Sequence, residues 1–171
     1  MYYEKDNILK AINEYEIALD LLDDYDHQCL KTPVGKNEYY VITYEECRYI
    51  IDSMKFDSSI FGVEKDESFK SSINAIYQTA FGNDVYKTTE EKAANLLYFV
   101  VKNHSFVDGN KRIAASIFIY FLYKNSLLYS NENFDKRISD VALVAITIMI
   151  AESKPEEKDT MIKLIMNFLT I

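Results

Sequence analysis

The chain has 171 residues, of which 49% are hydrophobic and 27% are charged. This length and balance are those of one folded domain with its own core, and they exclude a disordered chain. Four glycines and two prolines are too few for the frequent turns of a β-sandwich or β-barrel. The composition therefore predicts an all-α protein.

The formal net charge is −8. An acidic surface opposes nucleic acid and anionic membranes as partners, although one small basic pocket is compatible with it. No apolar stretch reaches the roughly 18 residues that a membrane-spanning helix needs. Cys29 and Cys47 lack the spacing of a disulfide framework, and the N-terminus lacks the apolar region of a signal peptide. We therefore expect a cytoplasmic protein.

The first predicted element is an amphipathic helix. Its apolar stripe consists of Ile8, Ile12, Tyr15, Leu19 and Leu22, spaced by four, three, four and three residues. Helical character so close to residue 1 predicts that the chain is cut from a longer parent. The aspartates that follow, together with His27, are interpreted as a solvated helix end rather than a metal site.

Two segments are predicted within a single globular unit. Residues 1–38 form the N-terminal helix and a connecting loop, and residues 39–171 form the core domain. Six further helices are predicted from capping pairs and apolar spacing, about seven in all: 43–54, 67–80, 88–102, 110–125, 139–152 and 153–170. Residues 81–84 are predicted to form a turn, and residues 85–87 one arm of a small hairpin.

A short polar loop between two apolar helices carries the chemistry. Gly109 permits backbone conformations that other residues avoid. Asn110, Lys111 and Arg112 then enter the first turn of the next helix, whose unpaired N–H groups attract anions. Because two cations there oppose the helix dipole unless an anion binds, the loop is predicted to cradle phosphates.

Three other residues of the loop complete this hypothesis. Asp108 supplies a carboxylate beside the phosphates, where Mg²⁺ would bridge them. His104 is the natural general base, since the ordinary pKa of histidine lies near neutrality. Phe106 is predicted to anchor the loop in the core. The simpler alternative is that Asp108 only caps the helix and His104 is a core histidine.

The nine residues from His104 to Arg112, HSFVDGNKR, resemble the signature HxFx(D/E)(G/A)N(G/K)R of the Fic/Doc family. The wider resemblance covers roughly residues 40–170. Residues 18–28 and 74–104 also resemble the Fic-type C-terminal domain of RhuM-like virulence and prophage-associated proteins. The resemblance implies an all-α Fic fold, with a central helix pair around the motif loop and a small β-hairpin flap.

The resemblance implies a bacterial transferase that uses ATP or another nucleoside triphosphate with Mg²⁺. It would move AMP or a phosphoryl group onto a Ser, Thr or Tyr hydroxyl of a target protein. The implied roles are a base at His104, a metal ligand at Asp108, and phosphate contacts at Gly109, Asn110, Lys111 and Arg112. The implied flap lies at residues 81–87, with Phe81, Val85 and Lys87 as target-docking residues; the alternative is an ordinary loop.

Two departures from the family's motif leave open whether AMP or a phosphoryl group is transferred. Ala115 lies where the AMP-transferring form of the motif has a second arginine that holds the γ-phosphate. Lys111 is typical of Doc-type proteins, which transfer the γ-phosphate, whereas Gly109 is typical of the AMP-transferring form. The motif is therefore a hybrid of the two types.

The sequence offers no clear inhibitory helix of its own. Ser153 and Glu157 only partly match the inhibitory helix of many Fic proteins, and Ser153 with Pro155 is better explained as the start of the last helix. Inhibition of the activity is then expected from an antitoxin, a homodimer or the missing N-terminal part.

The main alternative function is that of a degenerate Fic fold that serves as a nucleotide-binding or toxin–antitoxin interaction module. A metal phosphohydrolase would need more than two histidines, and helix-turn-helix DNA binding would need a basic recognition helix.

Overall fold

The computed structural model describes residues 2–54 and 58–170. These residues form eight α-helices: α1 Tyr2–Asn13, α2 Glu16–Asp26, α3 Tyr44–Ser53, α4 Ser68–Ala75, α5 Thr89–Asn103, α6 Asn110–Lys124, α7 Asp140–Glu152 and α8 Lys158–Thr170. The predicted all-α fold is confirmed. None of the helices described is both long enough and apolar enough to cross a bilayer.

The N-terminal segment differs from the predicted single helix. Asn13 ends α1, and Tyr15 precedes α2 in a non-helical conformation, which makes eight helices instead of seven. Asparagine favours helix ends over helix interiors because its side chain competes for backbone hydrogen bonds. The predicted stripe is also exposed, with accessibilities of 45–67% at Ile8, Ile12, Tyr15, Leu19 and Leu22. Leu21 and Tyr25 of α2 pack against the core instead.

α5 is the central helix of the fold. It packs against α4, α6, α7 and α8, and most of its side chains are buried. Its sequence is apolar almost all round, as expected of a helix in the middle of a bundle. Its partner α6 buries Ile113, Ile117 and Phe121 completely. The loop that joins α5 to α6 is therefore held at both ends by helices with largely buried side chains.

Side-chain caps fix where the helices around the core begin. Thr43 Oγ1 accepts from the Glu46 N–H at 3.2 Å, and the Glu46 carboxylate accepts from the Thr43 N–H at 2.8 Å. These two bonds complete a capping box at α3. At α5 the Thr88 hydroxyl accepts from the Glu91 N–H at 3.1 Å. The Glu91 carboxylate there accepts from Lys87 N–H instead of closing the box.

The predicted start of the last helix at Ser153 is wrong. Ser153 lies at the C-terminal end of α7, where its hydroxyl donates to the Ile150 carbonyl at 2.7 Å. A short 3-10 turn, Pro155–Glu157, follows, and α8 then begins at Lys158. The serine ends the preceding helix because both its N–H and its hydroxyl donate to the Ile150 carbonyl. The comparison with an inhibitory helix therefore loses its capping explanation, and the remaining departure from that motif is Lys158, which follows Glu157.

α4 is shorter than the predicted helix over residues 67–80. It covers Ser68–Ala75 and buries Phe69 and Ile73. The backbone then tightens into turns with hydrogen bonds to carbonyls three residues back, which end the helix. Ala80 is therefore not part of the helical face, and it lies exposed in a strand.

A small antiparallel hairpin joins α4 to α5. Strand β1 (Thr79–Ala80) pairs with strand β2 (Asn83–Asp84). Phe81 and Gly82 form the turn, and both have positive φ angles, 53° and 79°. The predicted hairpin arm at 85–87 is wrong, because the strands directly flank the two residues that reverse the chain.

A buried lysine holds the base of the hairpin. Lys92 of α5 is fully buried, and its ammonium donates to the Asp84 carboxylate at 3.0 Å and to the Tyr86 carbonyl at 2.5 Å. The ammonium also lies 4.1 Å from the centre of the Tyr39 ring. The hydrogen bond from Lys92 holds the pKa of Asp84 below its usual range. The hairpin is therefore tied to the central helix.

Substituting Lys92→Met is expected to lower the free energy of unfolding by about 1–3 kcal/mol, since the Tyr86 carbonyl and the Asp84 carboxylate lose the donor that the fully buried lysine supplies. Chemical denaturation measures the change. Lys136→Met is the matched control, because it removes a lysine from an exposed pair with Asp140. We expect the control to cost much less, because an exposed ion pair contributes little to stability. Equal losses in the two variants would contradict the anchoring role.

Candidate active site

Left-handed residues mark both ends of the loop between α5 and α6. His104 follows α5 with φ 47° and ψ 52°, and Gly109 precedes α6 with φ 90°. A non-glycine residue in this conformation is uncommon. At Gly109 an added Cβ would lie 2.3 Å from the Phe61 ring, so this position has no room for a side chain. The loop is thus built to one conformation.

A short backbone ladder holds the loop from its other side. Three hydrogen bonds form it: Gly62 N–H to the Asp108 carbonyl at 3.1 Å, Val107 N–H to the Val63 carbonyl at 2.8 Å, and Lys65 N–H to the Ser105 carbonyl at 2.8 Å. The segment that carries residues 62–65 is far from the motif in sequence. It fixes the loop because each of these backbone groups has a partner.

α3 supports this ladder through a group of polar side chains. The Tyr44 hydroxyl donates to the Glu64 carboxylate. Arg48 donates to the same carboxylate at 3.3 Å and to the Gly62 carbonyl at 2.8 Å. The hydrogen bond to Glu64 raises the pKa of Tyr44 to about 12, so the phenol remains a donor well into the alkaline range. The ladder is therefore held by its side chains as well as by its backbone.

Asn110 locks the inside of the loop. Its side chain is 8% exposed, its amide oxygen accepts from the Phe106 N–H at 2.9 Å, and its amide nitrogen donates to the Phe106 carbonyl at 2.8 Å. One side chain thus satisfies both polar groups of a buried peptide residue. The predicted phosphate-contacting asparagine acts in this structure as a support of the loop.

The His104 ring lies between two nitrogen donors. The Lys65 ammonium is 2.9 Å from Nδ1, and the Asn110 amide nitrogen is 3.3 Å from Nε2. The ring itself is exposed at the edge of the loop. Its position is therefore set by both neighbours, of which Lys65 makes the closer contact.

One cavity of about 270 Å³ brings the predicted motif residues together. It is lined by His104, Val107, Asp108, Gly109, Asn110, Lys111 and Arg112. Lys111 and Arg112 are exposed in the first turn of α6, beside its N–H groups. The Arg112 guanidinium also lies 4.9 Å from the centre of the Phe61 ring. The arrangement offers an anion both a helix N-terminus and two cationic side chains.

Asp108 is the residue that can hold a divalent cation. Its carboxylate is 39% exposed, lines the cavity and lies 3.7 Å from Arg112 Nη2. Nowhere in residues 2–54 or 58–170 do three or more His, Cys, Asp or Glu side chains form a group that could hold a metal ion. A single carboxylate fits Mg²⁺, which commonly binds through one or two carboxylates, phosphate oxygens and water.

The remaining predicted residues lie outside this cavity. Phe106 is fully buried and packs edge-on against Phe69 at 4.8 Å between ring centres, which fits an anchor of the loop. Phe81, at the hairpin tip, is completely exposed, and Val85 and Lys87 are also exposed. None of these three flap residues lines the cavity of the motif.

Sequence analysis missed two contacts of the site, Lys65 on His104 and Phe61 against Gly109. Lys65 lies 39 positions before His104 and Phe61 lies 48 positions before Gly109, and no local pattern connects such distant positions. The signal that could have found Phe61 is indirect: a glycine before a helix often marks a close approach by another group.

Comparison with known proteins points to one family. The model of the Fic/DOC family matches residues 40–122. The Doc toxin of Mycolicibacterium smegmatis (strain ATCC 700084 / mc(2)155) is 43% identical over 49 residues, which are 29% of this chain and 38% of that toxin. The match thus spans less than half of the toxin's length. No solved structure gives a significant match.

The fold and the site define a class of all-α proteins in which two central helices enclose a loop with a histidine, an aspartate and a helix N-terminus. The family match covers that helix pair and its loop. Over residues 40–122, which are 83 of its 171 residues, the chain is similar to the Fic/Doc family.

Proposed function

We propose that the protein is a transferase that moves AMP or a terminal phosphoryl group from ATP, or another nucleoside triphosphate, onto a Ser, Thr or Tyr hydroxyl of a target protein. One observation carries the proposal: His104, Asp108 and the N-terminal turn of α6 line the same cavity. A proton acceptor, a metal-binding carboxylate and an anion site are the parts that such a transfer needs.

The base is His104. As the target oxygen forms its bond to phosphorus, the hydroxyl proton passes to a ring nitrogen of His104. The bond between phosphorus and the leaving oxygen breaks at the same centre. Pyrophosphate leaves in AMP transfer, and a nucleoside diphosphate leaves in phosphoryl transfer. A module that only binds nucleotide would not need a base at this position, which is why we favour an enzyme.

The α6 N-terminus holds the phosphates in this proposal. Its free N–H groups, with Lys111 and Arg112, face the negative charge of the donor. When bound at Asp108, Mg²⁺ supplies further neutralisation of the phosphate charge. Ala115 offers no charge to a terminal phosphate, whereas Lys111 does. Whether the α- or the γ-phosphate lies beside His104 decides whether AMP or a phosphoryl group is transferred.

The similarity to a Doc toxin supports a second part of the proposal. We propose that the chain acts as a Fic-type toxin in the bacterial cytoplasm and that an antitoxin restrains it. In this proposal the hairpin tip at Phe81, with Val85 and Lys87, contacts the target protein. Its exposure and its attachment through Lys92 support that role, because a tip held at its base presents a fixed surface.

Labelled donor tests the proposed function. The purified protein would be incubated with Mg·ATP carrying the label in either the α- or the γ-phosphate, together with a lysate of its source cells. Protein label from the α-position alone is expected for AMP transfer, and label from the γ-position alone for phosphoryl transfer. A lysate without the added protein is the control. If none of ATP, GTP, CTP and UTP gave more protein label than this control, the result would contradict the proposed transferase activity.

A further inference from the structure

We propose that Lys65 is a positioning residue that locks His104 in one tautomer and must leave the ring before the histidine can accept a proton. The first part rests on geometry alone. The second part rests on the proposed function, since it names the donor phosphates as the group that draws Lys65 away.

The backbone places Lys65 beside the histidine. The Lys65 N–H donates to the Ser105 carbonyl at 2.8 Å, so its Cα is fixed next to the residue that follows His104. Glu64, Asp66 and Glu67 surround Lys65 in sequence, yet no ion pair of Lys65 with an acid appears among the described residues. The ammonium instead lies 2.9 Å from His104 Nδ1.

The donors around the ring determine its tautomer. A lysine ammonium only donates, so Nδ1 must accept, and the single proton of a neutral ring must lie on Nε2. Asn110 favours the opposite tautomer, because its oxygen is already bonded to the Phe106 N–H and its nitrogen therefore faces Nε2 as a donor. The two contacts compete for opposite tautomers, and the shorter, charged contact of Lys65 is the stronger.

This tautomer leaves His104 without a free lone pair. Nε2 carries the proton, and the lone pair of Nδ1 accepts from Lys65. A target hydroxyl can pass its proton to the ring only after the ammonium has moved. The adjoining cavity, which His104 itself lines, is where the proposed phosphates bind. Phosphate oxygens attract an ammonium more strongly than a neutral imidazole does, so donor binding frees the base.

Imidazole ¹⁵N spectra of the free protein test the first part without any assay of activity. The chain has two histidines, so a His27→Gln background leaves His104 alone in the spectrum. We expect the Nε2–H tautomer at a pH where the ring is neutral. Lys65→Met should shift the ratio of tautomers about tenfold toward Nδ1–H, with Nε2 accepting from Asn110. Lys65→Arg should retain the original tautomer.

Lys70→Met is the matched control, because it removes the same charge from an exposed lysine whose contact is the Tyr44 ring at 5.7 Å. A dominant Nδ1–H tautomer in the parent protein would overturn the proposal. Equal spectra of the Lys65→Met and parent proteins would also overturn it.

Addition of Mg·ATP tests the second part. We expect the Nδ1 resonance of the parent protein to move toward that of an unbonded nitrogen as Mg·ATP saturates. An unchanged Nδ1 resonance, with Gly109 N–H shifts proving that Mg·ATP is bound, would overturn the release step. Failure of Mg·ATP to bind would overturn the proposed donor, while the tautomer of the free protein would still decide the role of Lys65.

Discussion

His104→Ala is expected to lower the rate of transfer by at least about 100-fold, because a positioned general base commonly contributes 10²- to 10⁴-fold to a rate. The other candidate base that lines the cavity is Asp108, and in this proposal its carboxylate holds the metal ion. Single-turnover transfer of labelled phosphate measures the effect. The variant should fold normally, since the ring is exposed.

His27→Ala is the control for that prediction. His27 is the second histidine of the chain, exposed at the end of α2, and its ring contacts Asp23. We expect its rate of transfer to equal that of the unchanged protein. A His104→Ala variant that retains more than about a tenth of the rate would show that His104 is not the base.

Gly109→Ala is expected to lower the free energy of unfolding by about 2–4 kcal/mol. Two costs add: a non-glycine residue at φ 90°, and a Cβ placed 2.3 Å from the Phe61 ring. The loop can relieve the clash only by moving Phe61, which also contacts Arg112 at 4.9 Å. Phosphate binding should therefore weaken together with stability. Chemical denaturation measures the first effect.

Gly82→Ala separates the two costs. Gly82 has a similar φ of 79°, but an added Cβ there meets no atom within 4 Å. It should therefore show the backbone cost alone, about 1–2 kcal/mol. A double-mutant cycle with Phe61→Ala should recover part of the Gly109→Ala loss. Equal losses at the two glycines would refute the idea that Phe61 closes the space beside the loop.

The central part of the fold follows from local sequence signals. The capping pair at Thr43 and Glu46 and the all-round apolar body of α5 are decided within a few residues. The motif loop is likewise continuous in sequence, so His104, Asp108 and the α6 N-terminus were predicted to lie together. These features depend on short-range chemistry, which a single sequence displays.

The features that were missed depend on tertiary contacts. The ladder of residues 62–65 has no alternation or turn signal of its own, and it exists because the motif loop offers it partners. Lys65 and Phe61 are ordinary residues until the fold places them against His104 and Gly109. The hairpin was misplaced by a few residues because Phe81, not a glycine, takes the first left-handed position of its turn.

The N-terminal helix shows a different limit. Its spacing predicts helical structure, which the segment has as two helices instead of one, but spacing does not tell what covers an apolar stripe. The stripe from Ile8 to Leu22 is exposed in this chain. The predicted division at residues 38 and 39 also stays a prediction.

Calorimetric titration of Mg·ATP into the protein tests most directly the claim that the α6 N-terminus is a nucleotide phosphate site. The unchanged protein is expected to bind, and Lys111→Met should weaken binding about tenfold, because a charge-assisted contact is worth roughly 1.5–3 kcal/mol. Lys124→Met, at the other end of the same helix beside the Tyr40 ring, should bind as the unchanged protein does. Equal affinities of the Lys111 and Lys124 variants, or no binding at all, would contradict the claim.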